Sequence, residues 1–285
     1  MILVAGATGT TGGEVVRLLQ EQGEPFTAMV RNAAKAEALQ AAGVDTVVAD
    51  LADRASLGLA MKGAESLFLL SASVADQADL QLNAVEAAEK ASVGFIVKVS
   101  ALGADPESPL ALGRAHAEVE EGLAASGIPH AILRPGSFMQ NFLGSAETIR
   151  GQDQFYGSSG DGKIAMIDAR DIAAVAVALL TGEEHTGGVY PLTGPEALSN
   201  TEAAAVISEV VGREIRYVDV SGDAFKAGLL NAGLEEWLAD DLVTLNDMLA
   251  EGVEARVTDG VDRVTGRPAR TFAQFVAGCA DAFRK

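Results

Sequence analysis

Cysteine is nearly absent: Cys279 is the only one in 285 residues. An intramolecular disulfide is excluded, and a reducing, cytoplasmic setting is expected. Cys279 itself reads as a small apolar residue. Histidine is scarce too. His116, His130 and His185 are too scattered to read as a metal site, so no metal is expected. Aromatics are only 5 % of the chain, which calls for a core built mainly from Ala, Val, Leu and Ile. Basic residues are outnumbered, 21 Lys and Arg against 40 Asp and Glu, for a formal net charge of −19. Phosphate backbones and anionic membranes repel such a chain, so neither is an expected partner. The longest apolar run, Ile172 to Leu180, is too short for a bilayer, which needs about 20 residues. Met1 leads straight into a short apolar run broken at Gly6, with no basic flank, so no signal peptide is expected.

What is present is apolar and periodic. Apolar residues make up 48 % of the chain, enough for a sizeable core. Its length suits one large domain, or a main domain with a smaller one attached. Ile2 to Ala5, Phe26 to Val30, Asp45 to Ala49, Ser66 to Leu70, Gly94 to Val99 and His130 to Leu133 read as short strands. Between them lie helical patterns at Thr11 to Gln22, Ala33 to Ala42, Arg54 to Met61, Val74 to Ala91 and Leu112 to Ser126. Short apolar strands alternating with helices predict an α/β fold, a doubly wound parallel sheet covered on both faces.

The second half changes character. Gly151 to Gly162 reads as an exposed loop, and Ile164 to Ile167 as a strand. An Asp-capped helix is expected from Asp171 to Leu180, and helices over Glu202 to Val211, Ala224 to Leu249 and Thr271 to Phe283. The expected division is a nucleotide-binding domain over 1–150 with a return segment at about 164–193. The rest, 151–285, is a smaller, partly interleaved α+β substrate-binding or lid region.

The strongest local signal is Gly6-Ala7-Thr8-Gly9-Thr10-Thr11-Gly12, which follows a predicted strand and opens a predicted helix. In that context the glycines serve a tight turn, close approach of a pyrophosphate to backbone N–H groups, and close helix–strand packing. The helix N-terminus adds unpaired donors and partial positive charge. This predicts a Rossmann-type dinucleotide site. The second strand ends at Arg31 rather than at Asp or Glu, and Lys35 follows one helical turn later. Cations there suit a 2′-phosphate, so NADP(H) is preferred and NAD(H) remains possible. By resemblance to the short-chain dehydrogenase/reductase superfamily, whose members contact the adenine ring at this place, Asp50 is expected to do so, or else to cap the next helix. Leu51, Leu70, Ser71, Ser100 and Pro135 lie at other strand ends and are further expected cofactor contacts.

The GxxGxxG spacing resembles the short-chain dehydrogenase/reductase superfamily. Its usual Tyr-x-x-x-Lys is missing: aligned through Ser126-Gly127-Ile128-Pro129, Leu112 falls at the Tyr position and His116 at the Lys position. The first tyrosine is Tyr156. Val30-Arg31, Val99-Ser100 and His116-Ala117-Glu118 carry a closer likeness. So do Leu133 to Asn141, Asp168 to Ala173 and Tyr190 to Pro195. By these stretches the chain resembles the NmrA-like family of atypical short-chain dehydrogenases. The resemblance implies NAD(P)H-dependent reduction of quinones or cationic dyes, or else a non-catalytic NADP(H) sensor acting through a protein partner.

An electron-poor, conjugated acceptor can take hydride without a strong acid, so the missing Tyr points to a quinone or similar small molecule. A ketone or enone reductase of secondary metabolism is the other enzymatic reading. His116, with an ordinary value near neutrality, is the candidate polar helper on both cofactor and acceptor. Ser100 and Asn141 are the other candidate catalytic residues. Phe138 and Met139 are expected to face the nicotinamide and acceptor. Asp168 and Asp171 read as helix caps, and Trp237 as part of the smaller domain's core or a pocket lip. A monomer or homodimer is expected.

Overall fold

A computed structural model describes residues 1–182 and 187–285. His185 lies outside them. The chain starts with β1 (Ile2–Val4), α1 (Thr10–Gln22), β2 (Phe26–Val30), α2 (Ala33–Ala41), β3 (Thr46–Val48) and α3 (Arg54–Ala60). It continues through β4 (Ser66–Leu69), α4 (Gln77–Lys90), β5 (Phe95–Val99), α5 (Ala111–Ser126) and β6 (His130–Pro135). After a 3-10 segment, Met139–Ser145, come α6 (Ala146–Gln152), β7 (Gln154–Gly157), α7 (Ala169–Thr181) and β8 (Gly188–Leu192). Then follow α8 (Asn200–Val211), β9 (Arg216–Asp219), α9 (Gly222–Asn231) and α10 (Glu236–Ala250). The last elements are α11 (Gly260–Thr265), α12 (Phe272–Gly278) and α13 (Ala280–Phe283).

The main sheet runs β3-β2-β1-β4-β5-β6-β8, and the pairs from β3 to β6 are all parallel. This is the doubly wound order, with its switch point between β1 and β4. The strands are mostly apolar because both faces are covered. Leu3, Met29, Leu67, Leu69 and Ile96 alternate onto the face packed by α3, α4 and α5. The chain divides into two compact units. The first holds 1–108, 112–135 and 169–191; the second holds 109–111, 136–168 and 192–285. The expected boundary near 150 and return at about 164–193 compare with junctions at 135/136, 168/169 and 191/192.

The second unit departs from expectation in several places. The Gly151–Gly162 stretch contains a strand: β7 pairs in parallel with β9, and Phe155 is buried. Its partner lies about sixty residues on, so no local pattern announces it. Ile164–Ile167 is buried but forms no ladder; two isolated bridges, Phe138 with Ile167 and Ile164 with Leu198, take its place. Its backbone bonds go to Ser137, Leu198 and Glu254 instead. The expected helix Ala224–Leu249 is broken between α9 and α10, where Gly233 has φ +88°. The tail helix breaks at Cys279. The core here adds phenylalanines to its aliphatic residues: Phe142 packs on Phe155 at 5.2 Å and on Phe272 at 4.9 Å.

Candidate functional site

The loop from β1 to α1 sits at the switch point. Gly6 has φ +73°, and a Cβ there would lie 2.6 Å from the Leu70 carbonyl oxygen. A Cβ on Gly12 would lie 2.1 Å from the Gly6 carbonyl oxygen. Both glycines are therefore required by the protein's own packing. Gly9 differs: a Cβ there meets only the Gly6 oxygen, at 3.4 Å. Its outer side is open. Gly9 is also the N-cap of α1, with no side-chain cap. The first-turn N–H groups are left for an anion, which is what a pyrophosphate requires. Thr8, Gly9 and Thr10 are exposed on this loop, whereas Thr11 is buried.

Lys35 reaches the same loop. Asn32 caps α2 by accepting from the Lys35 N–H at 3.0 Å, and Lys35 Nζ donates to Thr8 Oγ1 at 3.3 Å. Arg31 is exposed directly after β2. On the other side, Asp50 Oδ1 accepts from the Ala52 N–H, so this carboxylate closes the turn before α3, whose N-cap is Asp53. Leu51 is half-buried and its carbonyl accepts from Asn83 on α4. Leu70 and Ser71 are half-buried beyond β4, where Ser71 Oγ accepts from Gln81 Nε2 at 2.8 Å.

A polar layer lies where β5 ends. Ser100 Oγ donates to Glu120 Oε1 at 2.5 Å, and Arg134 holds both oxygens of the same carboxylate. The Ser100 proton is thus committed to α5, which leaves Ser100 only acceptor capacity toward a ligand. His116 is half-buried, with Lys98 Nζ 3.1 Å from its Nδ1. Gln77 Nε2 is within 3.4 Å of both ring nitrogens. His116 is not poised near neutrality: burial first, and the Lys98 charge second, lower it to about 3. Pro135 is buried at the end of β6, its carbonyl accepting from Leu102.

Phe138 and Asn141 belong to the second unit. Phe138 is half-buried and Asn141 exposed, while Met139 is 1 % exposed and packed in that unit's core rather than open to a ligand. Asp168 is buried and accepts from Gln140 at 2.9 Å. Trp237 is half-buried and donates to Glu235. Among the described residues no His, Cys, Asp and Glu group could hold a metal, and no helix is long and apolar enough to cross a membrane.

Lys98, Gln77, Gln81, Glu120 and Arg134 were not anticipated. One signal was available. Lys98 is the single charge in Phe95-Ile96-Val97-Lys98-Val99, a run otherwise suited to a strand buried on both faces.

A doubly wound parallel sheet with an uncapped glycine loop at its switch point defines the dinucleotide-binding class of α/β proteins. Within that class the chain belongs to the NmrA-like family, whose model matches residues 1–275. It is 44 % identical to an NAD(P)H azoreductase of Xenophilus azovorans, over 99 % of both chains. It is also similar to the crystal structure of the NADPH-dependent quinone oxidoreductase QOR2 of Escherichia coli complexed with NADPH. That match has TM-score 0.89 at 37 % identity, over 98 % of this chain and 100 % of that one. The NADP(H) complex of the Citrobacter sp. triphenylmethane reductase matches with TM-score 0.87 at 27 % identity, over 98 % and 99 %.

Proposed function

We propose that this chain is an NAD(P)H-dependent oxidoreductase, with NADP(H) preferred and NAD(H) usable, that reduces a conjugated, electron-poor small molecule of the quinone class. The observation that carries the reading is the open, uncapped N-terminus of α1 with Lys35 bonded across it and Arg31 beside it. Three of the relatives support it, since their names point to conjugated acceptors: an azo group, a quinone and a triphenylmethane.

When bound, the nicotinamide supplies hydride. The chain's own work is to place and neutralise. The Gly9 loop and the first turn of α1 hold the pyrophosphate. Arg31 and Lys35 meet the 2′-phosphate. Leu112, at the position of the usual Tyr acid, offers no proton. Acceptors whose charge is delocalised on reduction are therefore favoured over simple ketones. A net charge of −19 argues against nucleic acid as a partner. NADPH use and a chain with a single cysteine suit a cytoplasmic enzyme.

The test is NADPH consumption by purified protein with a panel of quinones, azo dyes, cationic dyes, enones and ketones. Turnover with the conjugated acceptors and little with plain ketones is expected. Tight NADPH binding without turnover on any acceptor refutes the reading in favour of a sensor. Turnover confined to enones or ketones refutes it in favour of a secondary-metabolism reductase.

A further inference from the structure

The polar layer between β5 and α5 contains a titratable pair, Lys98 and His116. Lys98 and Ser100 follow Ile96 at the two-residue period, so all three face α4 and α5. His116 and Glu120, four residues apart on α5, meet them. Lys98 is wholly buried. Its Nζ donates to the Val99 carbonyl at 3.0 Å and to His116 Nδ1 at 3.1 Å, and neither partner is a carboxylate. Glu120 is occupied by Ser100 and Arg134. The remaining polar groups facing the pair are amides on α4, Gln77 and Gln81, and the Ser71 hydroxyl beyond β4. A buried ammonium without a bonded counter-ion is costly. Burial lowers Lys98 to about 7, against a smaller upward pull from Glu120. His116, lowered to about 3, is neutral across the range in which Lys98 loses its proton. With Nδ1 accepting from Lys98, the ring proton falls on Nε2, and the Gln77 amide, whose nitrogen is 3.3 Å from Nε2, has then to turn its oxygen toward that proton.

Resting on the reading of this site as a reductase of conjugated acceptors, we propose that Lys98 and His116 form a proton relay that completes acceptor reduction. An acceptor quinone or azo group that has gained hydride is an anion on oxygen or nitrogen. A bond forms from that atom to the Nε2 proton of His116, and the Nε2–H bond breaks. A proton moves from Lys98 Nζ to Nδ1, so the imidazole stays neutral and Lys98 becomes the amine. After product leaves, solvent returns a proton through the imidazole in the reverse sense. Electrons balance, because only the hydride pair has moved. His116 is the group that touches the acceptor; Lys98 is a positioning residue that sets its tautomer and refills it.

A cationic triarylmethane dye isolates the proton step. A carbocation that gains hydride is neutral and needs no proton, whereas a quinone or azo group does. Lys98→Met is expected to lower kcat for a quinone and an azo dye by roughly 100-fold, the low end of what general acid catalysis contributes. Hydride transfer to the cationic dye is expected to be unchanged. In the unaltered protein, kcat for the quinone falls as pH rises through about 7, because only the ammonium donates, and the dye rate does not follow. Lys98→Met loses that limb. A readout independent of turnover is the nitrogen NMR spectrum of His116 in the cofactor-free protein. It is expected to show the neutral Nε2–H tautomer below that pH, and a tautomer mixture in Lys98→Met. Equal losses on quinone and dye, or a flat quinone profile without any variant, overturn the relay alone. Failure of the unaltered protein to reduce any acceptor class overturns the relay and the reductase reading together.

Discussion

Arg31 and Lys35 flank the glycine loop in different ways. Lys35 is anchored, its backbone in the α2 cap and its Nζ on Thr8. Arg31 is exposed at the end of β2, with its guanidinium available for bidentate pairing. A charge-assisted hydrogen bond contributes about 1.5–3 kcal/mol. Arg31→Asp removes that and adds repulsion, so NADPH affinity should fall by roughly 10- to 100-fold. NADH has no 2′-phosphate and should lose little. Titration calorimetry with both cofactors checks this, and equal losses remove Arg31 from the phosphate site. Residues of this kind were legible beforehand because their meaning is local. Gly6 and Gly12 answer to contacts within the loop and at the end of β4, and Arg31 stands where a strand must end. Lys98 was not legible, since a lysine ordinarily reads as surface. Only its place on a strand covered on both sides gives it away.

At the scale of elements, β5 and α5 are joined by a polar seam inside an otherwise aliphatic contact. Glu120 is its centre: Ser100 and Arg134 both donate to it, and its side chain is 10 % exposed against 30 % for Arg134. Glu120→Ala leaves a buried hydroxyl and a half-buried guanidinium without their acceptor. Unfolding in urea should show a loss of about 1–3 kcal/mol, moderated by the solvent that reaches Arg134. Adding Arg134→Ala should recover part of that loss, and full additivity of the two would show no coupling. The same variant removes the upward pull of Glu120 on Lys98. The alkaline limb of quinone reduction should then move to lower pH. The helices and strands making this seam follow from periodicity, and their bounds differ from expectation by few residues. The seam itself does not, because His116 and Glu120 acquire meaning only when α5 is laid on β5. In the second unit the elements were less legible for the same reason. The strand β7 is recruited by β9 across a long separation, and the aromatic cluster around Phe142 joins residues far apart in the chain.

For the whole molecule, the division into two units crosses the sequence repeatedly, because the chain leaves the main sheet after β6 and returns for α7 and β8. Composition alone does not mark such junctions. Charge, by contrast, is a global property read directly from the sequence, and here it opposes the local site. The net charge of −19 repels an anionic dinucleotide at long range, while Arg31 and Lys35, in the proposed site, would attract it at short range. Ionic strength decides which dominates. At about 0.01 M salt the screening length is about 30 Å, so the field of the whole surface reaches an approaching ligand. At about 0.15 M it is about 8 Å, and only groups beside the loop are felt. NADPH association measured by stopped-flow fluorescence should therefore quicken as salt rises over this range. In Arg31→Asp the local attraction is weakened, so association should be slower at the higher salt, and the dissociation rate should rise as well. A rate that falls steadily with added salt in the unaltered protein would mean that the local cations outweigh the global charge at every distance.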